Sequence, residues 1–215
     1  MPAPALEELL NPATTVVLTM ELQRGVAGDL SFIPALAEAV AATGAATAAG
    51  EVCALARAAG ALVAHCTLEQ RHGAVGYRVN ARMLGMWARL RSADGHLACE
   101  EGTPEAALMP ELGAAPTDVV VPRHSGVTPF APSALDTLLR NSGIRTVVAT
   151  GVSVNMGIPG LAMEAVNLGY DVVLVREAVA GFPQEYADQV MDNSLALLTT
   201  IIGLRDLRAA WAQGE

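Results

Sequence analysis

Three positions that could support chemistry lie far apart in the sequence, and each comes after a run of apolar residues. Glu21 offers a carboxylate, Arg123 offers a permanent positive charge, and Gly157 lies in a glycine-containing turn that runs into an amphipathic helix. Such a turn presents backbone N–H groups and a helix N-terminus, which favour a developing negative charge. A fold that brings these positions together creates a site with a carboxylate, a fixed cation and a set of amide donors.

The elements that would position these residues are strands alternating with helices. The predicted strands cover residues 14–20, 61–66 and 118–122, followed by the runs that start at Arg145, Asp171 and Thr199. Between them, apolar residues recur at helical spacing. This alternation predicts an α/β fold, a three-layer αβα sandwich with a central, mostly parallel, Rossmann-like sheet of five or six strands. The length of 215 residues fits a single domain over 1–215.

In such a sheet, the carboxyl ends of the first, third and fourth strands can meet in one crevice. We therefore expect Glu21, Arg123 and the turn that ends at Gly157 to face the same pocket. The polar or turn residues that we expect to contact a substrate there are Gln23, His124, Val152, Ser153, Val154, Asn155 and Met156.

Two further candidates come from the second strand and the segment that follows it. Cys66 ends this strand and could face the same crevice, although buried cysteines are commonly small core residues. Met83, Met86, Trp87 and Leu90 recur at helical spacing and form one apolar face. Such a face more often packs against the protein body or a second subunit than against a ligand, and Trp87 is our candidate for substrate contact within it.

Composition excludes several classes of function. The formal net charge is −9, which opposes binding to the phosphate backbone of nucleic acids. All 13 basic residues are arginines, so neither a Schiff-base lysine nor the lysine of a phosphate-binding loop is present. The three cysteines are odd in number and show no metal-ligand spacing. We expect no nucleic-acid partner, no disulfide framework, no metal and no cofactor.

The apolar runs are far too short to span a bilayer, and the N-terminal segment lacks a basic region before an apolar block. We therefore expect a cytoplasmic protein without a membrane partner, acting on a small molecule.

The motifs around the three positions resemble those of the isochorismatase-like hydrolases, a family that includes cysteine amidohydrolases. The motifs are VVLTMELQ, DVVVPRHSGVTPF and ATGVSVNMGIPGLAMEAVNLGYDVVLV, and the resemblance covers roughly residues 13 to 205. The family carries an Asp-Lys-Cys triad in these motifs, which implies that Glu21, Arg123 and Gly157 occupy the triad positions. The resemblance also implies hydrolase activity and a cis peptide bond between Val152 and Ser153.

Loss of the thiol removes the acyl-enzyme route of the cysteine amidohydrolases. Isochorismatases proper resemble this chain in lacking the cysteine, and they cleave an enol ether. That reaction needs a carboxylic acid to protonate carbon, after which water captures the oxocarbenium ion without a covalent enzyme intermediate. The resemblance therefore favours acid catalysis by Glu21, with Arg123 beside it, on an enol ether or a related C–O or C–N bond.

Two alternatives remain open at this point. A close guanidinium favours the ionised form of a carboxylate, so Glu21 and Arg123 could simply neutralise each other in the pocket of a non-catalytic binding or scaffold protein. The second alternative is an amidohydrolase with a relocated nucleophile such as Cys66.

The resemblance also implies self-association as a dimer or tetramer, and the apolar face around Trp87 has no predicted partner within the chain. We therefore expect the mass of the protein in solution to be two or four times the 22.2 kDa of a single chain. Light scattering coupled to size-exclusion chromatography measures this mass, and the mass of a single chain at micromolar concentration would contradict the prediction.

Overall fold

The structure, a computed structural model, describes residues 5–212. Its centre is a six-stranded sheet with the order β3-β2-β1-β4-β5-β6, in which all neighbouring strands are parallel. The strands are β1 (Thr15–Met20), β2 (Leu62–Leu68), β3 (Val119–Arg123), β4 (Thr146–Val152), β5 (Asp171–Ala180) and β6 (Thr200–Ile202). The predicted sheet of five or six strands is therefore confirmed, with six. The predicted domain limits at 1 and 215, and the first four residues of the N-terminal segment, lie outside the described residues.

Helices connect the strands and cover both faces of the sheet. Over residues 5–212 the α-helices are α1 (Leu6–Leu9), α2 (Arg24–Ala27), α3 (Pro34–Thr43), α4 (Ala45–Ala59), α5 (Arg82–Trp87), α6 (Leu135–Asn141), α7 (Gly157–Asn167), α8 (Gln184–Asn193) and α9 (Leu204–Trp211). Within the same residues, no single helix is both long and apolar enough to cross a membrane, and only the bent pair of α3 and α4 reaches that length and composition together.

Alternate residues of each strand pack into two separate cores. On β1, Val17 belongs to the core that contains α3, α4 and α9. Val16 and Leu18 point to the other face and pack with α6, α7 and α8. Because both faces are covered, β1 is buried along its whole length, which explains why its sequence is apolar without alternation. The predicted three-layer αβα sandwich is confirmed.

The long Ala-rich segment between β1 and β2 forms two helices. Helix α3 ends at Gly44, which has φ +70° and lies in the left-handed region, and α4 begins at the next residue. Glycine adopts this conformation without the steric cost that a Cβ would add, so the chain can turn there by 62° and fold α4 back across the sheet.

Strand boundaries differ from the prediction by one or two residues. Strand β3 covers Val119–Arg123 rather than 118–122. Strand β2 continues past Cys66 to Leu68, because Leu68 still pairs with Arg123 of β3. After β5, helix α8 ends at Asn193 and is followed by a 3-10 helix over Leu195–Leu197. Leu195 is fully buried in the core, so the chain must turn inward there before β6 begins.

A buried polar network joins β1, β2 and the start of β3. Thr19 and His65 are partners in the register of β1 and β2, and the Thr19 hydroxyl lies 2.8 Å from Nδ1 of His65. Nε2 of His65 lies 3.1 Å from Asp118, which also accepts two hydrogen bonds from Arg57. Burial lowers the pKa of His65, with the Asp118 carboxylate opposing this effect. The network therefore holds a neutral histidine that donates to Asp118 and accepts from Thr19.

This network predicts a loss of stability in mild acid. An unfolded histidine takes up a proton near pH 6.5, whereas folded His65 does so only at lower pH. The unfolded state then binds more protons, so the free energy of unfolding falls as the pH drops below about 6.5, by at most about 1.4 kcal/mol per pH unit. Urea denaturation at pH 7.5, 6.5 and 5.5 measures this slope. The His65→Gln variant should lose it, and an equal slope in both proteins would assign the effect to other groups.

Candidate active site

A cavity lies where the strand order reverses. Strand β1 is flanked by β2 on one side and β4 on the other, and ligands of open parallel sheets bind outside the carboxyl ends of strands at such a point. A cavity of about 90 Å³ opens there, and Glu21, Arg123 and Gly157 all line it. The topology thus brings together the three positions that the sequence analysis selected.

Glu21 follows β1 in an unusual backbone conformation. Its φ is +52°, a region that residues with a side chain rarely adopt. Its backbone N–H donates to the carbonyl oxygen of Cys66 at 2.9 Å, so the chain stays tied to β2 while it turns away from the strand. Such strained residues often occur at functional sites, where the surrounding structure holds them in place.

Arg123 ends β3 and reaches the site across the end of a neighbouring strand. Since β2 lies between β3 and β1, the side chain must pass the end of β2 to form its ion pair with the Glu21 carboxylate. Nη1 of Arg123 donates to the carbonyl oxygen of Gly126 at 2.9 Å. Burial lowers the pKa of Arg123 to about 10, so the guanidinium remains protonated at neutral pH.

The turn after β4 supplies the amide donors. Gly151 has φ +102°, and a Cβ there would overlap the backbone of Met20 on the adjacent strand, so the close approach of β1 and β4 requires glycine. The peptide bond between Val152 and Ser153 is cis, as the resemblance implies. The backbone N–H groups of Ser153 and Gly157, both on the cavity wall, have no hydrogen-bond acceptor among residues 5–212.

The rest of the cavity wall is mainly apolar and comes from segments distant in sequence. Trp87 of α5 is 7% exposed and packs edge-on against Phe32, with the ring centroids 5.9 Å apart. Tyr77 donates its hydroxyl to the carbonyl oxygen of Leu84 at 3.3 Å, and burial raises the pKa of Tyr77 to about 12. The purely aliphatic part of the wall includes Val26, Ile33, Leu36, Leu68 and Val127. Sequence analysis did not select these aliphatic residues, because nothing in their chemistry separates them from the core.

Of the predicted site residues, half line the cavity. These are Glu21, Arg123, Ser153, Met156, Gly157 and Trp87. The apolar face of α5 was considered both as a packing surface and as a ligand contact, and its residues differ in where they lie. Trp87 and Met83 line the cavity, whereas Met86 is 56% exposed.

The structure places the other predicted contacts away from the cavity wall. The Gln23 amide donates to the carbonyl oxygens of Leu68 and Ala106 and accepts from the Leu68 N–H, which ties loops together. Asn155, predicted to contact a substrate, instead bonds through its amide to the backbone of Phe182. These two side chains thus hold the backbone of neighbouring loops.

The remaining four predicted contacts, at positions 66, 124, 152 and 154, also contact other parts of the protein. Nδ1 of His124 lies 2.9 Å from the carbonyl oxygen of Glu69. Val152 and Val154 are buried in the two cores. Cys66 is 3% exposed and packs in the core with α6 and α7, and burial raises the pKa of its thiol to about 12.

Comparison with known proteins gives a family match over most of the chain. Residues 15–206 match the Isochorismatase domain. An uncharacterised isochorismatase family protein of Bacillus subtilis, YwoC, is 34% identical over 80 residues, which cover 37% of this chain and 42% of YwoC. Ureidoacrylate amidohydrolase RutB of Pseudomonas syringae is 34% identical over 98 residues, which cover 45% of this chain and 38% of RutB. The matched segments thus span less than half the length of these two relatives.

Solved structures share the whole fold. An isochorismatase family protein from Burkholderia thailandensis superposes with a TM-score of 0.72 and 26% identity, over 93% of this chain and 96% of that one. A cysteine hydrolase from Pseudomonas syringae pv. phaseolicola has a TM-score of 0.77 over the full length of both chains. Its identity of 17% supports a common fold only.

The space around Gly157 predicts that a thiol cannot simply be introduced there. A Cβ at this position would lie 2.8 Å from the carbonyl oxygen of Val152 and 3.3 Å from Cε of Met20. We expect Gly157→Ala and Gly157→Cys to lower the free energy of unfolding by similar amounts, about 1 kcal/mol or more, since both add the same Cβ. Urea denaturation measures this. A fully stable Gly157→Cys variant that gains thiol-dependent amide hydrolysis would contradict the prediction.

Proposed function

The chain belongs to the isochorismatase family, and on that basis we propose that it is a hydrolase of a small molecule that uses acid catalysis by Glu21 and direct attack by water. The bond cleaved is that of an enol ether or a related C–O or C–N bond. The observation that carries this proposal is the convergence of Glu21, Arg123 and the free N–H groups of Ser153 and Gly157 on one cavity. These groups can donate a proton, stabilise the remaining carboxylate and stabilise a developing oxyanion.

Among residues 5–212, no thiol that could support a covalent route lines the cavity. The two hydroxyl groups on it belong to Ser153 and Tyr77, and neither has a histidine or carboxylate within hydrogen-bond distance among residues 5–212. The hypothesis of a relocated nucleophile at Cys66 gains no support, because this thiol is buried in the core with a raised pKa. Nucleophilic catalysis needs an activated group, so water is the better nucleophile for this site.

The proposed reaction proceeds in three steps. The carboxylic acid of Glu21 donates its proton to the carbon of the enol ether double bond that does not carry oxygen, which creates an oxocarbenium ion and a carboxylate. Arg123 stabilises this carboxylate. Water adds to the cationic carbon and returns a proton to Glu21. The resulting hemiacetal then breaks its C–O bond to release an alcohol and a carbonyl compound, with the N–H groups of Ser153 and Gly157 placed to stabilise charge on oxygen.

Hydrolysis of a C–N bond fits the same groups. The matched relatives from several bacteria are named ureidoacrylate amidohydrolases. Protonation by Glu21 and attack by water would also cleave a nitrogen leaving group after addition. The substrate series that tests the proposal should therefore include both enol ethers and N-vinyl amides.

We predict that Glu21→Gln abolishes turnover, with a loss of at least about 100-fold in kcat/KM, because an amide cannot donate a proton to carbon. The matched control is Glu185→Gln, since Glu185 is exposed on α8 away from the cavity. We also expect kcat/KM of the unchanged protein to rise as the pH falls from 8 towards 6, because only the protonated form of a carboxyl group can act as a general acid. Kinetics with the enol ether and N-vinyl amide series, combined with circular dichroism at each pH, measure both effects.

Unchanged turnover in Glu21→Gln would remove Glu21 from the reaction. The complete absence of turnover across the series, together with saturable binding of small molecules, would instead support the binding-protein alternative. In that case the ion pair of Glu21 and Arg123 would serve only to neutralise charge in the pocket.

A further inference from the structure

Two buried donors on the wall of the active-site cavity have no acceptor in the described residues. They are the indole N–H of Trp87 and the Nε–H of Arg123. Both residues are almost fully buried, with 7% and 5% of their whole-residue surface exposed. A buried donor without a partner costs about 1–3 kcal/mol, so native structures rarely keep one unless something else satisfies it.

Packing fixes the orientation of the Trp87 donor. Trp87 is the last residue of α5, and its ring packs edge-on against Phe32 at an interplanar angle of 75°. Its side chain also belongs to the core on the α3 and α4 side of the sheet. Because the ring is held by the helix and by this contact, its N–H is already positioned, and a ligand that meets it loses little conformational entropy.

The charge balance of the cavity argues against an anionic ligand. Glu21 and Arg123 are the two charged residues on its described wall, and they form an ion pair with each other. The positive charge of Arg123 is therefore already neutralised, and most of the remaining wall is aliphatic or aromatic. Moving a carboxylate from water into such a cavity would be costly, because no second cation compensates it.

We propose that the substrate of this site is an uncharged molecule with an apolar body and a hydrogen-bond acceptor, and that Trp87 determines specificity by donating its indole N–H to that acceptor. The acceptor is an ether, carbonyl or amide oxygen on the part of the substrate that does not react. This inference rests on the proposed function, because it concerns the same cavity. It is tested by binding alone, so its result does not depend on whether Glu21 performs catalysis.

The test compares the binding of two small probes of the same shape, one a ketone and the other an alkene. Cyclohexanone carries an acceptor oxygen where methylenecyclohexane carries a CH₂ group. Protein labelled with ¹³C at the methionine methyl groups reports binding, since Met83 and Met156 line the cavity. We expect cyclohexanone to bind more tightly to the unchanged protein. Trp87→Phe keeps an aromatic ring but removes the N–H. It should weaken the binding of cyclohexanone by roughly 5- to 30-fold, and the binding of methylenecyclohexane should stay the same or become tighter.

The second tryptophan of the chain provides a matched control. The indole N–H of Trp211 donates to the carbonyl oxygen of Leu10 at 2.8 Å, and Trp211 lies in the core away from the cavity. Trp211→Phe should therefore leave the affinity for both probes unchanged. Equal weakening of both probes by Trp87→Phe would show that Trp87 acts through packing only, and would overturn the proposal.

A measurement on the unchanged protein keeps the test valid if Trp87→Phe does not fold. In ¹H–¹⁵N spectra, the indole signal of Trp87 should move downfield with cyclohexanone but not with methylenecyclohexane, while the Trp211 signal serves as internal reference. A second pair of probes tests the effect of charge. Cyclohexanecarboxamide, which is uncharged, should bind at least about 10-fold more tightly than cyclohexanecarboxylate, which has nearly the same shape. Tighter binding of the carboxylate, or an unmoved Trp87 signal, would overturn the proposal.

Discussion

The ion pair between Glu21 and Arg123 is the interaction on which the site depends. Both side chains are largely removed from water, with 14% and 6% of their surface exposed, so each charge would be costly without the other. The pair also explains local backbone geometry, because Glu21 must turn out of β1 with a positive φ to meet a partner that starts two strands away. Removal of either member would leave an uncompensated buried charge beside an apolar cavity, which is why the residues are best understood as one unit.

The strand order makes arginine better suited than lysine to this role. Arg123 spans the end of β2 and contacts two partners in different directions, the Glu21 carboxylate and the carbonyl oxygen of Gly126. A planar guanidinium can donate to both at once and still present a further N–H, whereas an ammonium is a compact point charge that is more strongly hydrated. Burial lowers the pKa of Arg123 to about 10, so the guanidinium is still charged at neutral pH. The absence of lysine from the chain is thus compatible with a fixed positive charge at this position.

Sequence patterns predicted the sheet and the meeting of Glu21, Arg123 and Gly157, because apolar runs mark buried parallel strands and the topology fixes where their carboxyl ends lie. They could not predict the roles of Gln23 and Asn155. A polar side chain after a strand looks the same whether it faces a ligand or, as here, satisfies the backbone of Leu68 or Phe182. The buried contact of His65 with Asp118 was missed for a similar reason, since 53 residues separate the partners and only the register of β2 and β3 brings them close. Apolar wall residues such as Leu36 carry no signal that separates a cavity from a core.

The unsatisfied groups of the cavity indicate what the site lacks more clearly than its residue types do. Among residues 5–212, the side-chain N–H groups of Trp87 and Arg123 are buried without acceptors, at a cost in free energy, and the backbone N–H groups of Ser153 and Gly157 also have no acceptor. A nucleophilic side chain at Gly157 would not relieve this cost, and the space beside it is already occupied by the carbonyl oxygen of Val152 and the methyl group of Met20. A ligand with an acceptor oxygen would satisfy these donors and bind only the folded state, so it would stabilise the protein by RT ln(1 + c/Kd), where c is the free ligand concentration. Under the proposed function, the site is a set of N–H donors around an uncharged acceptor, and Glu21 is the carboxyl group that moves a proton.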